Sequence, residues 1–353
     1  MICPIFKRGS SFDAGNCRGI HLTAILSKIA ERVIGRDLLN FLQAKAFGPF
    51  QWAFTPGLSA RDLVTALFMT WILAACHGKK TAGYLGDISG AFDRVCKAYL
   101  MAKLHQAGVG ATYLNFLDSY LQPRSAAVVV EGTRSDETEI ADTVFQGTVF
   151  GPSLWNTFFS NVSSVAIDSN AKPNMFADDL NIFKEFDRLM PDTIVSREME
   201  VCRARVHSWG RTNRVLFDPS KEHVIAIHPT NGFGDSFKLL GCIVDCKLIM
   251  KEAIDNILPQ VRPKMHAILR TKYIFTTKEL INQFKTHIWG IMEIHNGAIF
   301  HAAKYLLDRI DAVQRHFLNE LGTSESEAFL ESNFAPPCLC RDIGILGLLH
   351  KRA

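Results

Sequence analysis

The sequence predicts an α+β fold, and three observations predict it. A strand-like run from Ala82 to Leu85 leads into Asp87, and another from Met175 to Ala177 leads into Asp178 and Asp179. Leu180 to Phe183 resumes an extended pattern at once, so the double aspartate reads as the tip of a hairpin. From Lys251 onward the pattern turns helical, with Ile254, Ile257, Leu258 and Val261 on one stripe, then Leu280, Phe284, Ile288 and Ile291 on another. The expected arrangement is an antiparallel sheet backed by helices and followed by a helical C-terminal part.

The elements follow in order. Ala24, Ile25, Ile29, Val33, Ile34 and Leu38 suggest a helix by their i, i+4 spacing. Asp62, Leu63, Ala66, Leu67, Thr70 and Leu73 suit a buried helix that leads into the Asp87 strand. The apolar run Leu63 to Cys76 falls short of the roughly 20 residues that span a bilayer. Ala126 to Gly132 followed by Thr138 to Val144 reads as a hairpin, and the glycine-proline loop of Phe145 to Asn156 opens a helix near Pro152. Val215 to Lys221 precedes a strand at Val224 to Ile227, and Phe237 to Asp245 reads as one short apolar strand with Gly241 inside it. A last helix spans roughly Lys304 to Leu321.

Asp-Asp in a turn is common by itself, because Asp tolerates turn geometry and caps local backbone donors. Three converging carboxylates, however, are what two divalent ions need to clamp an in-line phosphoryl displacement. Oxygen-only ligands select magnesium over zinc or copper. Such catalysis rests on positioning and charge neutralisation, so cations should flank the acids. An arginine fork suits a phosphate bidentately, and a lysine supplies a point charge or a proton.

Composition sets bounds. The 353 residues are 48% hydrophobic and 21% charged, which excludes a disordered chain and suggests two or three subdomains. A net charge of +4 is too small to signal nucleic-acid binding, so any positive ridge is local. Arg262, Lys264, Arg270 and Lys272 are candidates for such phosphate contacts. The nine cysteines suit a reducing compartment, with Cys242 expected in the core and Cys246 at an edge. Cys338 and Cys340 with His350 lack a fourth zinc ligand and read as structural. Met1 to Arg18 lacks the apolar stretch of a secretory signal.

Six blocks in this order are specific together. They are Cys3-Pro4-Ile5-Phe6-Lys7-Arg8-Gly9 with Asn16-Cys17-Arg18-Gly19-Ile20-His21-Leu22, Gly83 to Asp93, Phe145 to Asn156, Asn174 to Asp179, Val215 to Lys221, and Phe237 to Asp245. Over nearly the whole chain this resembles the reverse transcriptases of non-LTR (LINE-type) retrotransposons. The resemblance implies a right-hand polymerase, with residues 1–60 as partial fingers, 61–245 as a palm with inserted fingers elements, and 246–353 as a helical thumb and C-terminal segment. It implies an RNA template, a DNA primer, dNTPs, two Mg2+ ions with Mn2+ as a substitute, no membrane, and a nuclear setting.

By the same resemblance Asp87 and Asp178 hold the metals with Asp179 beside them, and Lys221 protonates the leaving pyrophosphate. Lys7 and Arg18 hold the triphosphate. Phe92 blocks a ribose 2′-hydroxyl, while Gln146 and Gly147 pack near the incoming nucleotide and template. Leu239, Leu240 and Gly241 grip the primer end. Gln51 to Ser59 resembles the family's glutamine-to-glycine loop. Gly19 stands where proline is frequent and Phe150 where leucine is. The chain opens on the first fingers block, so the upstream fingers segment and an endonuclease-like region are expected to be absent. Two other readings are a silent remnant that retains only nucleic-acid binding and an RNA-dependent RNA polymerase, which Phe92 opposes.

Overall fold

The computed structural model describes residues 1–351 apart from Arg8, Ser11, Ser89 and Asp142. Arg8 and Ser89 of the motif runs, and Asp142 of the expected hairpin, therefore lie outside the described residues. Interleaved stretches build two compact units. The first gathers Met1–Leu58, Tyr84–Phe183 and Glu198–Glu222; the second gathers Ser59–Gly83, Lys184–Arg197 and His223–Ala353.

β1 (Ile2–Phe6) and β2 (Cys17–His21) form an antiparallel ribbon in which Pro4 faces Gly19 and Ile5 faces Arg18. α1 (Ile25–Lys45) follows, but not on the face expected from periodicity. Ile25 and Val33 are 77% and 73% exposed, while Glu31, Gly35, Leu38 and Leu42 are buried. The stripe is chosen by close packing: a Cβ at Gly35 would meet Phe150 Cε1 at 2.6 Å. α2 (Ala60–Cys76) starts at Ser59, whose side chain accepts from the Asp62 N–H. Asp62, Leu63 and Leu67 are buried as expected, yet Thr70 and Leu73 face outward. Phe68 and Trp71, in ring contact at 4.9 Å, turn the helix so that the aromatics take the core.

β3 (Lys79–Gly86) is buried at every position but Lys79. α3 (Lys97–Gln106) and α4 (Ala111–Tyr120) come next. The expected single hairpin is two nested ones: β4 (Arg124–Ala126) pairs with β7 (Thr138–Ile140), and β5 (Val129–Val130) pairs with β6 (Thr133–Arg134). Glu131 and Gly132, both at positive φ, make the inner turn. α5 (Gly151–Phe159) begins one residue before Pro152, near where the sequence indicates, and α6 (Ser163–Asp168) follows. β8 (Lys172–Phe176), β9 (Asp179–Asp187), α7 (Asp192–Asn213) and β10 (His223–Ile227) complete the central elements. Four strands share one sheet in the order β10-β3-β9-β8.

The run Phe237 to Asp245 is not one strand. β11 (Phe237–Leu239) and β12 (Cys242–Val244) are an antiparallel pair turning at Leu240-Gly241. Cys246 is buried like Cys242 and is no edge residue. α8 (Lys251–Leu269) buries Ile254, Ile257, Leu258 and Val261, the stripe read from the sequence. α9 (Thr277–Phe284) carries a Thr276–Glu279 capping box and runs through a π-helical turn, Lys285–Trp289, into α10 (Gly290–Glu293). α11 (Asn296–Ile299) precedes α12 (Lys304–Leu321), which matches its expected span. α13 (Glu325–Ser332) and α14 (Pro337–His350) end the chain, with Arg341 of α14 clamping Asp311 bidentately at 2.7 and 2.8 Å.

Cys338 and His350 lie twelve residues apart on α14, roughly 18 Å along its axis, and cannot share an ion. No helix of the described residues is long and apolar enough to cross a membrane.

Candidate active site

The β8–β9 register runs from Lys172 opposite Phe183 to Phe176 opposite Asp179, leaving only Ala177 and Asp178 in the turn. Met175, Leu180 and Ile182 are wholly buried, which anchors the tip through the strand alternation. Ala177 takes φ 57°, a conformation that costs an L-residue on the order of 1–2 kcal/mol. Asp87 follows β3 directly. Its carbonyl accepts from the Asp218 N–H at 3.0 Å, and Ile88 bridges antiparallel to Phe217. Asp218 then caps the 3-10 turn Pro219–Lys221, which swings Lys221 onto the acids. The Lys221 ammonium lies 2.6 Å from Asp87 Oδ2 and 3.2 Å from Asp218 Oδ2.

The three acids share one electrostatic field. Burial first, then repulsion from Asp178 and Asp87, pushes the Asp179 carboxyl up to about 7. Burial also raises Asp178; the Asp87 charge adds to it, against the opposing pull of its own backbone N–H, Arg18 and Lys221. The hydrogen bond to Asp87 holds Lys221 above the usual ammonium range, so it stays protonated at neutral pH. Among the described residues no three His, Cys, Asp or Glu side chains form a ready cation cage. The donor set still fits a divalent ion: it is all oxygen, half-buried, and close enough that each charge penalises the next. Asp87, Asp178 and Asp179 are the residues that would hold it.

The flanking residues are less uniform. Arg18, exposed on β2, lies near enough to Asp178 for its charge to oppose in part the rise that burial imposes on that carboxyl. Lys7 is exposed just beyond β1, its N–H donating to the Asn16 carbonyl at 2.8 Å. Phe92 is half-buried in the 3-10 turn Ala91–Arg94, its ring stacked on Trp155 at 5.8 Å. The Phe92 carbonyl accepts from the Val144 N–H at 2.9 Å. The Gln146 carbonyl accepts from the His21 N–H at 3.0 Å, tying its loop to the end of β2. Gly147 has φ 102°, and a Cβ there would meet the His21 carbonyl at 3.0 Å, so a side chain is excluded twice over.

Leu239, Leu240 and Gly241 belong to the second unit, at the β11–β12 turn. There Lys238, Leu240, Gly241, Gln260, His287 and His295 line a cavity of about 450 Å³. Arg262, Arg270 and Lys272 border another of about 890 Å³ with His266, His316 and Glu320; Lys264 is not among its lining. Lys272 is itself paired with Glu320 at 3.2 Å.

Three supports escaped sequence reasoning. Glu31 Oε2 accepts the N–H groups of Val149 and Phe150 at 2.6 and 3.2 Å, tying the residues just before α5 to α1. Glu222, almost fully buried beside Lys221, accepts from Tyr84 Oη at 3.0 Å and Arg203 Nε at 2.7 Å, and lies 2.8 Å from His207 Nε2. Burial, then the Glu222 charge, raises the Tyr84 phenol. Gln51 and Trp155 hold the backbone of Ala177. For Gln51 and Trp155 a signal was available, an amide or indole group in an apolar stretch, but the partner was not; Glu31 and Glu222 sit beside other charged residues and gave none.

Comparison with known proteins agrees with this geometry. The family model for reverse transcriptase (RNA-dependent DNA polymerase) matches residues 5–244. The chain is 31% identical over 185 residues to a probable RNA-directed DNA polymerase from transposon X-element of Drosophila melanogaster, covering 51% of this chain and 20% of that one. It is 33% identical over 164 residues to the RNA-directed DNA polymerase from mobile element jockey of the same fly, covering 46% and 18%. The chain thus spans about a fifth of the length of these curated relatives. In fold it is similar to telomerase from Candida albicans, solved in complex with a TWJ fragment of telomeric RNA, with a TM-score of 0.51 at 11% identity over 94% of this chain and 64% of that one. These matches do not favour an RNA-dependent RNA polymerase. The chain belongs to the reverse transcriptase (RNA-dependent DNA polymerase) family.

Proposed function

We propose that this chain is the RNA-directed DNA polymerase part of a non-LTR retrotransposon protein, adding dNTPs to a DNA primer 3′-hydroxyl on an RNA template and releasing pyrophosphate. The observation that carries the reading is the meeting of Asp87, Asp178 and Asp179 with the Lys221 ammonium in one unit of a reverse transcriptase. Two Mg2+ ions, with Mn2+ as a substitute, would lend positive charge to the attacking and leaving oxygens. Asp87 and Asp178 hold them, with Asp179 assisting. Lys221 carries its proton toward the leaving pyrophosphate, and Lys7 and Arg18 receive the triphosphate charge. Phe92 rejects a ribose 2′-hydroxyl by overlap, and the Gln146-Gly147 loop packs beside the incoming nucleotide. Leu239, Leu240 and Gly241 grip the primer end.

In this reading residues 1–60 are partial fingers, 61–245 the palm and 246–353 the thumb with the C-terminal segment, acting in the nucleus. The test is primer extension on an RNA template by the purified chain in Mg2+, with chelation by EDTA and the Asp178→Asn variant as controls. Extension that needs both the ion and Asp178 is expected. Binding of primer-template without any extension would instead mark a silent remnant.

A further inference from the structure

The acidic turn is held from behind by two side chains to which the polymerase reading gives no task. Gln51 is 2% exposed, and its Oε1 accepts the N–H of Ala53 at 3.0 Å and of Ala177 at 3.1 Å. The wholly buried Trp155 donates its indole N–H to the Ala177 carbonyl at 3.0 Å. Both polar backbone groups of Ala177 are therefore fixed by side chains, and Ala177 is the residue of the turn with φ 57°. The holding groups are themselves held. The Trp52 N–H donates to the Met175 carbonyl and the Met175 N–H to the Phe50 carbonyl, both at 2.9 Å. Asn156, next to Trp155 on α5, donates its side-chain amide to the Ala53 carbonyl at 2.9 Å.

We propose that Gln51 and Trp155 are positioning residues that keep Ala177 in its left-handed conformation and so aim the Asp178 and Asp179 carboxylates at a divalent cation. This rests on the polymerase reading above. The physical argument is local. Alanine does not adopt a positive φ unaided, and a two-residue turn that relaxes at its first position redirects the side chain at its second. The Ala177 carbonyl shares a peptide plane with the Asp178 N–H, so the indole bond also orients the aspartate's own backbone. Removing Gln51 leaves the buried Ala53 N–H and the part-buried Ala177 N–H without that acceptor, which favours a turn that opens to find one. Supports behind ligating carboxylates change metal affinity about 10- to 100-fold when removed.

The experiment uses the full chain and Mg2+ as probe, comparing Gln51→Leu, Trp155→Phe and Gln51→Glu with wild type. The Mg2+ concentration for half-maximal thermal stabilisation, without nucleic acid, is read beside kcat and the dNTP KM. In Gln51→Leu and Trp155→Phe the half-maximal concentration should rise about tenfold or more, and kcat should fall while KM holds within about twofold. Gln51→Glu keeps an acceptor at the same reach and should recover most of the loss. A Mg2+ response unchanged in both variants overturns the positioning role while the polymerase reading stands. A wild-type chain stabilised by neither Mg2+ nor Mn2+ overturns the proposal, since the turn then aims its carboxylates at no cation, while primer extension decides the polymerase reading separately. If Gln51→Leu fails to fold, Trp155→Phe decides, since it keeps the ring stack and removes one donor.

Discussion

The β8–β9 and β11–β12 hairpins both reverse over two residues, Ala177-Asp178 and Leu240-Gly241, and both start the turn with a non-glycine at positive φ, 57° and 47°. They carry that strain differently. In β11–β12 the strained leucine is followed by Gly241 at φ 92°, so the turn obtains its shape from its own sequence. In β8–β9 the second position is an aspartate, and the shape is kept by Gln51 and Trp155, 126 and 22 residues away along the chain. A turn that must present a carboxylate cannot also use glycine there, so its geometry is held by tertiary hydrogen bonds instead.

Perturbations of each unit should therefore differ in kind. The largest effect is expected at the first turn and its partner strand: Asp178→Asn or Asp87→Asn should lower primer extension by ~10³-fold or more, with the chain still folded. Extension within a few-fold of wild type would remove the chemical distinction between the turns. Next comes Phe92→Val, whose ring stacks on the same Trp155 that holds Ala177. Ribonucleotide incorporation should rise relative to dNTP incorporation, because a clash against the competitor is lost. A full core role predicts instead a loss of about 2–4 kcal/mol in the melt with the ratio unaltered.

In the second unit, neutralising Arg270 and Lys272 should weaken primer-template binding across sequences alike and shallow the salt slope by roughly two units. An unchanged slope would make them an ordinary solvated face. The smallest effect separates the turns most directly. Leu240→Gly should stabilise by about 0.5–1 kcal/mol through relief of its positive φ, with the Mg2+ concentration for half-maximal thermal stabilisation unchanged. Ala177→Gly should gain similarly in the melt, yet need more Mg2+ for half-maximal stabilisation as the freed turn wanders; an equal Mg2+ response in both would equate the hairpins.

How much of this was legible in the sequence depends on which partner each residue needed. The acidic hairpin was readable because its signal is local: two extended runs flank Asp178-Asp179, and the pleat does the rest. The start of α5 beside Pro152, the buried stripe of α8 and the span of α12 were readable for the same reason. The face of α1 was not. Its apolar periodicity marks Ile25, Ile29 and Val33, but the helix packs where Gly35 admits Phe150, a contact set by residues over a hundred positions apart. The break at Leu240-Gly241 hid inside an apolar run that suits one strand as well as two. Gln51 lies within a motif but shows no role in the sequence, because one of its two donors comes from a distant turn.

The two buried cysteines of the second hairpin carry a further consequence, in the language of thiol reactivity. Burial pushes the Cys242 thiol up to about 12 and the Cys246 thiol up to about 11, so both remain protonated and poor nucleophiles at neutral pH. Cys76 and Cys338 are exposed and lie on α2 and α14. Alkylating reagents will therefore modify Cys76 and Cys338 at once and reach Cys242 and Cys246 only when the β11–β12 hairpin opens. Cys96 and Cys202 are buried as well, so the labelling followed at Cys242 and Cys246 is the clock on that opening, and it times the loosening of the segment proposed to grip the primer end.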